Sequence, residues 1–288
     1  MMSGLRREWF QLEEVRLHAM VAGPADGPLV LLLHGFPEFW YSWRHQIPAL
    51  ASAGFRVIAP DQRGYNLSDK PGELRAYTRE RLAADVIGIA DRLGRQRFAL
   101  VGHDWGGIVA WEVASRFSGR VERIAIVNAP HPDVFGQYAR RHLSQMLKSW
   151  YILFFQVPGL PEKLLSRREF AGLRRMLLST SLPGTFSPQD IALYREAWSR
   201  SGALTAMIHW YRANARRTAT AVTTPRIPCP TLLLWGEKDP ALNAELARES
   251  LKVCDSGSVR MFPDATHWLH QEFPQEVNGE LLRFLRAH

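Results

Sequence analysis

The sequence predicts an α/β fold in which helices pack on a mostly parallel β-sheet and a long helical segment interrupts the sheet. Three observations predict it: short apolar runs bounded by Gly, Pro and Asp, helix-length amphipathic segments between several of them, and a gap of roughly one hundred residues in this alternation. With 288 residues, of which 46% are hydrophobic, the chain can bury a full core. This composition excludes a disordered chain.

The predicted strands are short apolar runs, which are typical of strands buried on both faces. They are Leu29–Leu33, Arg56–Ala59, Phe98–Val101, Arg123–Val127, Thr231–Trp235 and Val259–Phe262. Between them, Arg79–Leu93 and Ile108–Phe117 have the apolar spacing of amphipathic helices. Strands that alternate with helices indicate a mostly parallel sheet.

The alternation stops after Val127 and resumes at Thr231. Apolar residues at helical spacing, with Pro-Gly breaks between the segments, predict the helices Phe135–Phe155, Arg167–Ser179, Pro188–Arg200 and Ala203–Arg217. We therefore expect a core domain of residues 1–132 and 223–288 and a helical cap of residues 133–222. Cap aromatics such as Trp150 suggest an apolar pocket, although packing between helices uses the same residues.

The net charge of +8 is concentrated in the predicted cap. Residues 133–222 contain 13 Lys and Arg against 5 Asp and Glu, and the rest of the chain balances at 23 against 23. Such a surface suits anionic lipid, an acidic partner or an anionic substrate. The Arg pairs are spread out, however, so solvated helix faces are the favoured interpretation; the pairs are 140–141, 167–168, 174–175 and 216–217. Nucleic acid binding is not expected, since no recognition motif accompanies them.

We expect a cytoplasmic protein without a cofactor or a metal. The N-terminus lacks the central apolar run of a secretory signal, and no uncharged apolar stretch approaches the ~20 residues that span a bilayer. Cys229 and Cys254 are expected to stay reduced, and we assign them no role. None of the ten histidines stands at a metal-ligand spacing from Cys, Asp or Glu. A homodimer is left open.

The strongest chemical signal is the run GHDWGG of residues 102–107, directly after a predicted strand. A nucleophile elbow needs small residues two positions before and after the nucleophile, because larger side chains would collide with the strand and the helix. Gly102 and Gly106 occupy these positions around Asp104. A residue that only caps the following helix would not need glycines on both sides. We therefore predict that Asp104 is a nucleophile.

An Asp nucleophile suits displacement at a saturated carbon, because a carboxylate is already ionised at neutral pH. The product is an ester between enzyme and substrate, which water must then cleave at the carbonyl carbon. That step needs a general base, an orienting carboxylate and an oxyanion hole. We expect the oxyanion hole to consist of the backbone N–H groups of Trp105 and Phe36.

The expected chain order of the catalytic groups is nucleophile, acid, His. His267 is well placed after the last predicted strand, whereas His270 falls inside the following helix and is interpreted as a surface or packing residue. Asp239 follows a strand end, with Glu237 as a nearby competitor. The other strand end that suits the acid carries Asn128, which favours Asp239.

Four segments closely resemble the α/β-hydrolase-fold epoxide hydrolases. They are HGFPEFWYSW at residues 34–43, DQRGY at 61–65, GHDWGG at 102–107 and NAPHP at 128–132. The resemblance runs from about Trp9 to the C-terminal helix and includes the cap. It implies the α/β-hydrolase fold, with the cap inserted after the sixth strand, and a small-molecule epoxide and water as reactants. Asp61, beside a turn glycine, is interpreted as structural.

The resemblance also implies that two cap tyrosines, Tyr151 and Tyr211, bind the epoxide oxygen and protonate it as the ring opens. The physical need is clear, because this oxygen develops a negative charge in a closed pocket. Tyrosines that only pack the cap are the alternative. The expected substrate-binding residues are Phe36, Pro37, Trp105, Tyr151, Tyr211 and Trp268.

Two other functions stay open. A haloalkane or haloacid dehalogenase shares the Asp-His-acid chemistry, but its halide leaves as a stable anion and needs N–H donors rather than phenols. A non-catalytic ligand-binding protein on the same fold would keep the pocket without turnover.

Overall fold

A computed structural model describes residues 4–215 and 226–287, and an eight-stranded sheet forms its centre. The strands are β1 (Arg6–Gln11), β2 (Arg16–Ala22), β3 (Leu29–Leu33), β4 (Arg56–Pro60), β5 (Phe98–His103), β6 (Val121–Val127), β7 (Thr231–Gly236) and β8 (Gly257–Phe262). Their order is β1-β2-β4-β3-β5-β6-β7-β8. β2 pairs antiparallel with β1 and β4, and the other pairs are parallel, so the prediction of a mostly parallel sheet is confirmed.

The first two strands did not follow from the sequence patterns. β1 has the sequence RREWFQ and lies at the edge of the sheet, where only Phe10 is buried. An edge strand that faces water carries charged residues, so it lacks the continuous apolar run of the central strands.

Helices cover both faces of the sheet, because successive strand residues point to opposite sides. In β3, Val30 and Leu32 contribute to one apolar cluster, whereas Leu31 and Leu33 contribute to the other. The core helices are α1 (Gln46–Ser52), α2 (Arg79–Arg92), α3 (Trp105–Arg116), α10 (Glu245–Leu251), α11 (Leu269–Glu272) and α12 (Pro274–Arg286). The first cluster includes residues of α1 and α12, and the second includes residues of α2, α3 and α10.

Six helices lie between β6 and residue 215 and make up the described part of the predicted cap. They are α4 (Pro132–Arg141), α5 (Leu143–Lys148), α6 (Trp150–Phe154), α7 (Leu160–Thr180), α8 (Pro188–Ser199) and α9 (Ala203–Asn214), and α7 is interrupted by a kink at residues 167–170. The prediction of one helix over Phe135–Phe155 is wrong, because His142 and Ser149 leave helical geometry. The predicted domain boundary at 222–223, the Arg pair 216–217 and the end of the helix Ala203–Arg217 lie outside the described residues.

The cap lies over the carboxyl ends of the central strands. The indole N–H of Trp198 donates to the carbonyl of Pro37 in the loop after β3 (2.6 Å), and that of Trp210 donates to the carbonyl of Arg63 after β4 (3.0 Å). Ligands of open α/β sheets bind at this edge. In the part of the chain that the structure describes, no helix combines the length and apolar composition needed to cross a bilayer.

Candidate active site

The strand order brings the predicted site residues together. β5, β6, β7 and β8 are consecutive neighbours in the sheet, and all four are parallel. Asp104 follows β5, Asn128 follows β6, Asp239 follows β7 and His267 lies in the loop after β8. Because the carboxyl ends of parallel strands share one edge, groups that are far apart in sequence lie side by side.

Asp104 sits at a sharp turn between β5 and α3 with φ 49° and ψ −120°, a conformation that non-glycine residues rarely adopt. A Cβ on Gly102 would lie 2.4 Å from the carbonyl oxygen of Gly106, and a Cβ on Gly106 would lie 2.0 Å from that of Leu33. Both glycines are therefore required by the close approach of strand and helix. The turn exposes 19% of the Asp104 side chain.

The loop after β3 brings a backbone donor to this carboxylate. The N–H of Phe36 donates to Asp104 Oδ1 at 2.8 Å. A Cβ on Gly35 would lie 2.5 Å from the Asp104 side chain, so the approach again depends on glycine. His34 holds the loop, since its Nδ1 lies 3.0 Å from the carbonyl of Gly35 and its Nε2 accepts from the N–H of Gln62 at 3.0 Å. The second expected donor, Trp105, begins α3, where backbone N–H groups have no partner within the helix.

His267 connects two carboxylates. Its Nδ1 lies 2.7 Å from Asp239 Oδ2, and its Nε2 lies 3.6 Å from Asp104 Oδ2. Asp239 is buried, and its Oδ1 accepts the N–H groups of Ala241 at 2.7 Å and Leu242 at 2.9 Å. The histidine ring is thus held between an anchored carboxylate and the candidate nucleophile.

Of the two carboxylates considered for the acid, Asp239 is the one that contacts His267, and its acid role stays a prediction. Glu237 is exposed, two residues before it. Asn128 does not replace the acid but supports it, because its Nδ2 donates to Asp239 Oδ2 at 2.8 Å and its Oδ1 accepts the N–H of Gly236 at 3.0 Å.

The charges favour a protonated His267 in the free protein. Burial alone would lower the pKa of His267, but the carboxylates of Asp239 and Asp104 raise it well above its ordinary value. Burial would raise the pKa of Asp239, but the charge of His267 and the hydrogen bonds from His267 and Asn128 lower it. Asp239 therefore stays ionised and stabilises the charged ring.

Asp104 opens into a cavity of about 150 Å³ between the sheet edge and the cap. Trp105, Tyr151 and Tyr211 line the same cavity, whose remaining wall is mostly apolar. The ring centroids of Tyr151 and Tyr211 are 6.0 Å apart, and the Tyr211 ring lies 5.0 Å from Trp105. Burial and the negative charge of Asp104 raise the pKa of both phenols, so both keep their protons and can donate hydrogen bonds.

A sequence profile of the alpha/beta hydrolase fold family matches residues 28–274. The chain belongs to this family. It is 40% identical to an AB hydrolase superfamily protein of Bacillus subtilis over 99% of both chains. It is 38% identical to epoxide hydrolase 4 of Mus musculus over 94% of this chain and 77% of that protein.

Solved structures agree with these relatives. The crystal structure of a Bacillus megaterium epoxide hydrolase in complex with an inhibitor superposes with a TM-score of 0.89 at 30% identity, covering 97% of this chain and 100% of the other. Within the α/β-hydrolase fold, the chain thus belongs to the epoxide hydrolase family, and the resemblance inferred from its motifs is confirmed.

Three of the expected substrate-binding residues lie beside the cavity of this α/β hydrolase rather than in its wall. Phe36 is buried and packs its ring against Phe155 and Tyr211, with centroid distances of 5.4 Å and 5.3 Å. Pro37 contributes its carbonyl to the Trp198 hydrogen bond. Trp268 is buried behind His267 and donates its indole N–H to Thr180 Oγ1 at 2.9 Å. Their substrate contacts stay a prediction.

The sequence patterns did not reveal a second, fully buried group formed by Glu38, His103 and His270. Glu38 Oε2 lies 2.8 Å from His103 Nδ1, and Oε1 lies 3.6 Å from His270 Nε2. The only sequence signal was that Glu38 lies in the motif HGFPEFWYSW and His103 in the motif GHDWGG.

These three side chains are close enough to surround a cation. Apart from His270 Nδ1, their polar atoms are already engaged, since Gln271 Nε2 also donates to Glu38 Oε1 at 3.1 Å and His103 Nε2 lies 2.9 Å from the carbonyl of His267. We therefore describe the group as a hydrogen-bond network.

Proposed function

We propose that this α/β hydrolase converts epoxides to vicinal diols through a covalent ester on Asp104. The observation that carries the proposal is that Tyr151 and Tyr211 line the same cavity as the Asp104 carboxylate. A carboxylate nucleophile accounts for attack on a saturated carbon, and phenol donors account for a leaving oxygen that needs a proton. The relatives named as epoxide hydrolases support the same reaction.

In the first step, Asp104 Oδ2 attacks one ring carbon, because Oδ1 is held by the N–H of Phe36. A C–O ester bond forms, and the C–O bond of the ring breaks with its electron pair left on the epoxide oxygen. This oxygen takes a proton from one phenol while the other donates a hydrogen bond to it. The mostly apolar wall limits water, so the fixed donors take over the stabilisation of the developing charge.

Formation of the ester converts His267 into a base. Two carboxylates raise its pKa in the free protein, and the ester removes the negative charge of one of them, Asp104. The ring then loses its proton more readily. It gives this proton to the phenolate left by the first step, which becomes a phenol again. Neutral His267 keeps the proton on its own Nδ1, donates it in a hydrogen bond to Asp239, and presents Nε2 to water.

In the second step, water attacks the ester carbonyl carbon as His267 Nε2 takes its proton. The negative charge moves to Oδ1, where the N–H groups of Phe36 and Trp105 would stabilise it. The tetrahedral intermediate breaks its bond to the alkyl oxygen, which takes the proton of His267 and leaves as the diol. The regenerated acid of Asp104 returns its proton to His267.

The experiment that tests the ester is His267→Gln, which removes the base but leaves the nucleophile and the phenols. Steady-state diol formation should fall by roughly 10²–10⁴-fold, while intact-mass analysis of protein mixed with an epoxide should show one covalent adduct, mapped to Asp104 by peptide sequencing. Absence of the adduct, or an adduct elsewhere, would refute the order of steps.

The double variant Tyr151→Phe and Tyr211→Phe separates epoxide opening from halide displacement. We expect loss of diol formation by at least about 10³-fold, because an epoxide oxygen without a proton donor does not leave. Wild-type protein that released halide from haloalkanes but formed no diol would support a dehalogenase. Compounds that raise the melting temperature without any turnover would support a binding protein.

A further inference from the structure

The outer face of α5 and α6 carries a row of exposed apolar side chains. Leu143, Met146, Leu147, Trp150 and Leu153 have 63%, 55%, 64%, 63% and 74% of their surface exposed. Leu143, Met146 and Leu147 are spaced to share one side of α5, and Trp150 and Leu153 are spaced to share one side of α6. We call these five residues the apolar ridge.

The ridge is the outward side of a segment whose inner side is firmly anchored. Gln145 is fully buried and bonds the carbonyl of Ala241 at 2.8 Å and the N–H of Asn243 at 2.8 Å. Tyr151 lines the cavity, and Phe155 is buried against Phe36. The inner side of α5 and α6 is therefore fixed to the core, and the ridge is the side that faces away from it.

Exposed apolar residues are concentrated in this part of the described structure. Of the 12 large apolar side chains that are exposed, eight lie between residues 143 and 164, namely the five of the ridge together with Val157, Leu160 and Leu164. The other four, Trp9, Leu74, Leu178 and Leu193, lie on separate elements or far along α7. Single exposed apolar residues are ordinary, but a contiguous group of this size marks an interaction surface.

The charged residues in the sequence around the ridge are almost all cationic. Residues 140–168 contain six Lys and Arg and one acidic residue, Glu162. Glu162 is already paired with Arg212 at 2.5 Å. Arg141, Lys163 and Arg167 are exposed beside the apolar residues. The surface thus combines exposed aliphatic and indole groups with these three basic residues, which we call the basic border.

We propose that the apolar ridge and its basic border dock on the surface of an anionic phospholipid bilayer. An interfacial helix buries Leu, Met and Trp side chains at the boundary of headgroups and acyl chains, while Lys and Arg contact lipid phosphates. The interpretation favoured from the sequence, in which the Arg pairs lie on solvated helix faces, accounts for the charges alone. It does not account for apolar residues exposed between the charges.

Charge complementarity selects a bilayer over a second copy of this chain. A two-fold interface brings the same patch of both copies together, so the basic border would face another basic border with Glu162 already paired. The side chains of the ridge have more than half of their surface exposed, which suits insertion into a deformable lipid surface.

The test is sedimentation of the full chain with vesicles, either of phosphatidylcholine alone or of an equimolar mixture with phosphatidylglycerol. We expect binding to the anionic vesicles only, and weaker binding as salt rises because exposed charges are screened. The substitutions Leu147→Ser, Trp150→Ser and Leu153→Ser together should weaken binding by about tenfold or more. Arg141→Gln with Lys163→Gln should weaken it by roughly tenfold to thirtyfold.

The matched control is Leu74→Ser with Leu193→Ser, which removes exposed apolar residues outside the ridge and should bind like wild type. Melting temperature checks that each variant is folded, and sedimentation velocity reports the oligomeric state. No binding of wild-type protein, or equal binding of the ridge and control variants, would overturn the proposal. A wild-type dimer that the ridge variant dissociates would also overturn it, in favour of an interface between two copies.

Discussion

Two histidine–carboxylate groups lie side by side beneath the cap, and they differ in access. In the first, His267 connects Asp239 with Asp104, whose side chain is 19% exposed to the cavity. In the second, Glu38 contacts His103 and His270, and all three side chains are completely buried. The two groups are neighbours, since the ring of His103 lies 4.7 Å from that of His267.

The groups also differ in charge. His267 faces two carboxylates, which raise its pKa well above the ordinary value despite burial. His270 shares one carboxylate with His103, and burial together with the charge of His103 lowers its pKa to about 4. His103 lies between two acceptors, since its Nδ1 is 2.8 Å from Glu38 Oε2 and its Nε2 is 2.9 Å from the carbonyl of His267.

The difference shows that residue types alone do not tell whether a histidine–carboxylate group is placed to take part in a reaction. Both groups contain a carboxylate that orients a histidine, but only the first places a nucleophile and a cavity on the far side of the ring. In the second, Glu38 also contacts Gln271 and Tyr194, which complete its hydrogen bonds. We therefore expect the first group to control turnover and the second to control stability.

The largest expected effect is on turnover, from Asp239→Asn. The amide would present an N–H to His267 Nδ1 and favour the wrong tautomer, so diol formation should fall by about 10⁴-fold. The melting temperature should also fall, because the new amide N–H₂ replaces the oxygen that accepts from Asn128 and pairs with His267, while the retained oxygen still accepts from Ala241 and Leu242. Diol assays and thermal unfolding check both statements. Activity within about tenfold of wild type would remove Asp239 from the proposed mechanism.

The opposite pattern is expected for Glu38→Gln. Removing the negative charge leaves the buried His103 without its partner, which should lower the free energy of unfolding by about 3–5 kcal/mol. Diol formation at a temperature where the variant is folded should stay within about tenfold of wild type. Denaturant unfolding and diol assays measure the two quantities. A loss of turnover comparable to that of Asp239→Asn, at unchanged stability, would show that the comparison of the two groups is wrong.

Much of the fold could be predicted because the central strands are buried on both faces and have continuous apolar runs. The position of Asp104 could also be predicted from the sequence. The strand and the helix approach so closely that they require glycine on both sides of it, at Gly102 and Gly106. His267 and Asp239 followed from chain order. The structure brings these side chains into contact, and their catalytic roles stay predictions.

Other features depend on tertiary context that local patterns do not contain. β1 was missed because an edge strand tolerates Arg6 and Arg7 on its exposed side. The breaks at His142 and Ser149 involve neither Gly nor Pro, so one helix was expected where there are three. Trp150 was associated with the pocket, yet it points outward, because helical periodicity does not tell which apolar side faces the core.

The smallest expected effect concerns the pH dependence of stability and the neutral state of His270. Its pKa is lowered from 6.5 to about 4, so the unfolded chain binds a proton between these values and the folded protein does not. Its contribution to stability is therefore present above pH 6.5 and is lost as pH falls toward 4, by about 3 kcal/mol. His270→Phe preserves the contact with Trp43 and should remove this loss.

The measurement is urea unfolding of wild type and His270→Phe near neutral pH and near pH 4. The difference between the two proteins isolates His270, because His131, whose pKa is also lowered to about 4, titrates in both. Exposed His142→Phe serves as the control and should keep the wild-type slope. Diol formation should be unaffected by His270→Phe at neutral pH. If the variant lost as much stability as wild type on acidification, His270 would be charged in the folded protein, and the contrast with His267 would rest on access alone.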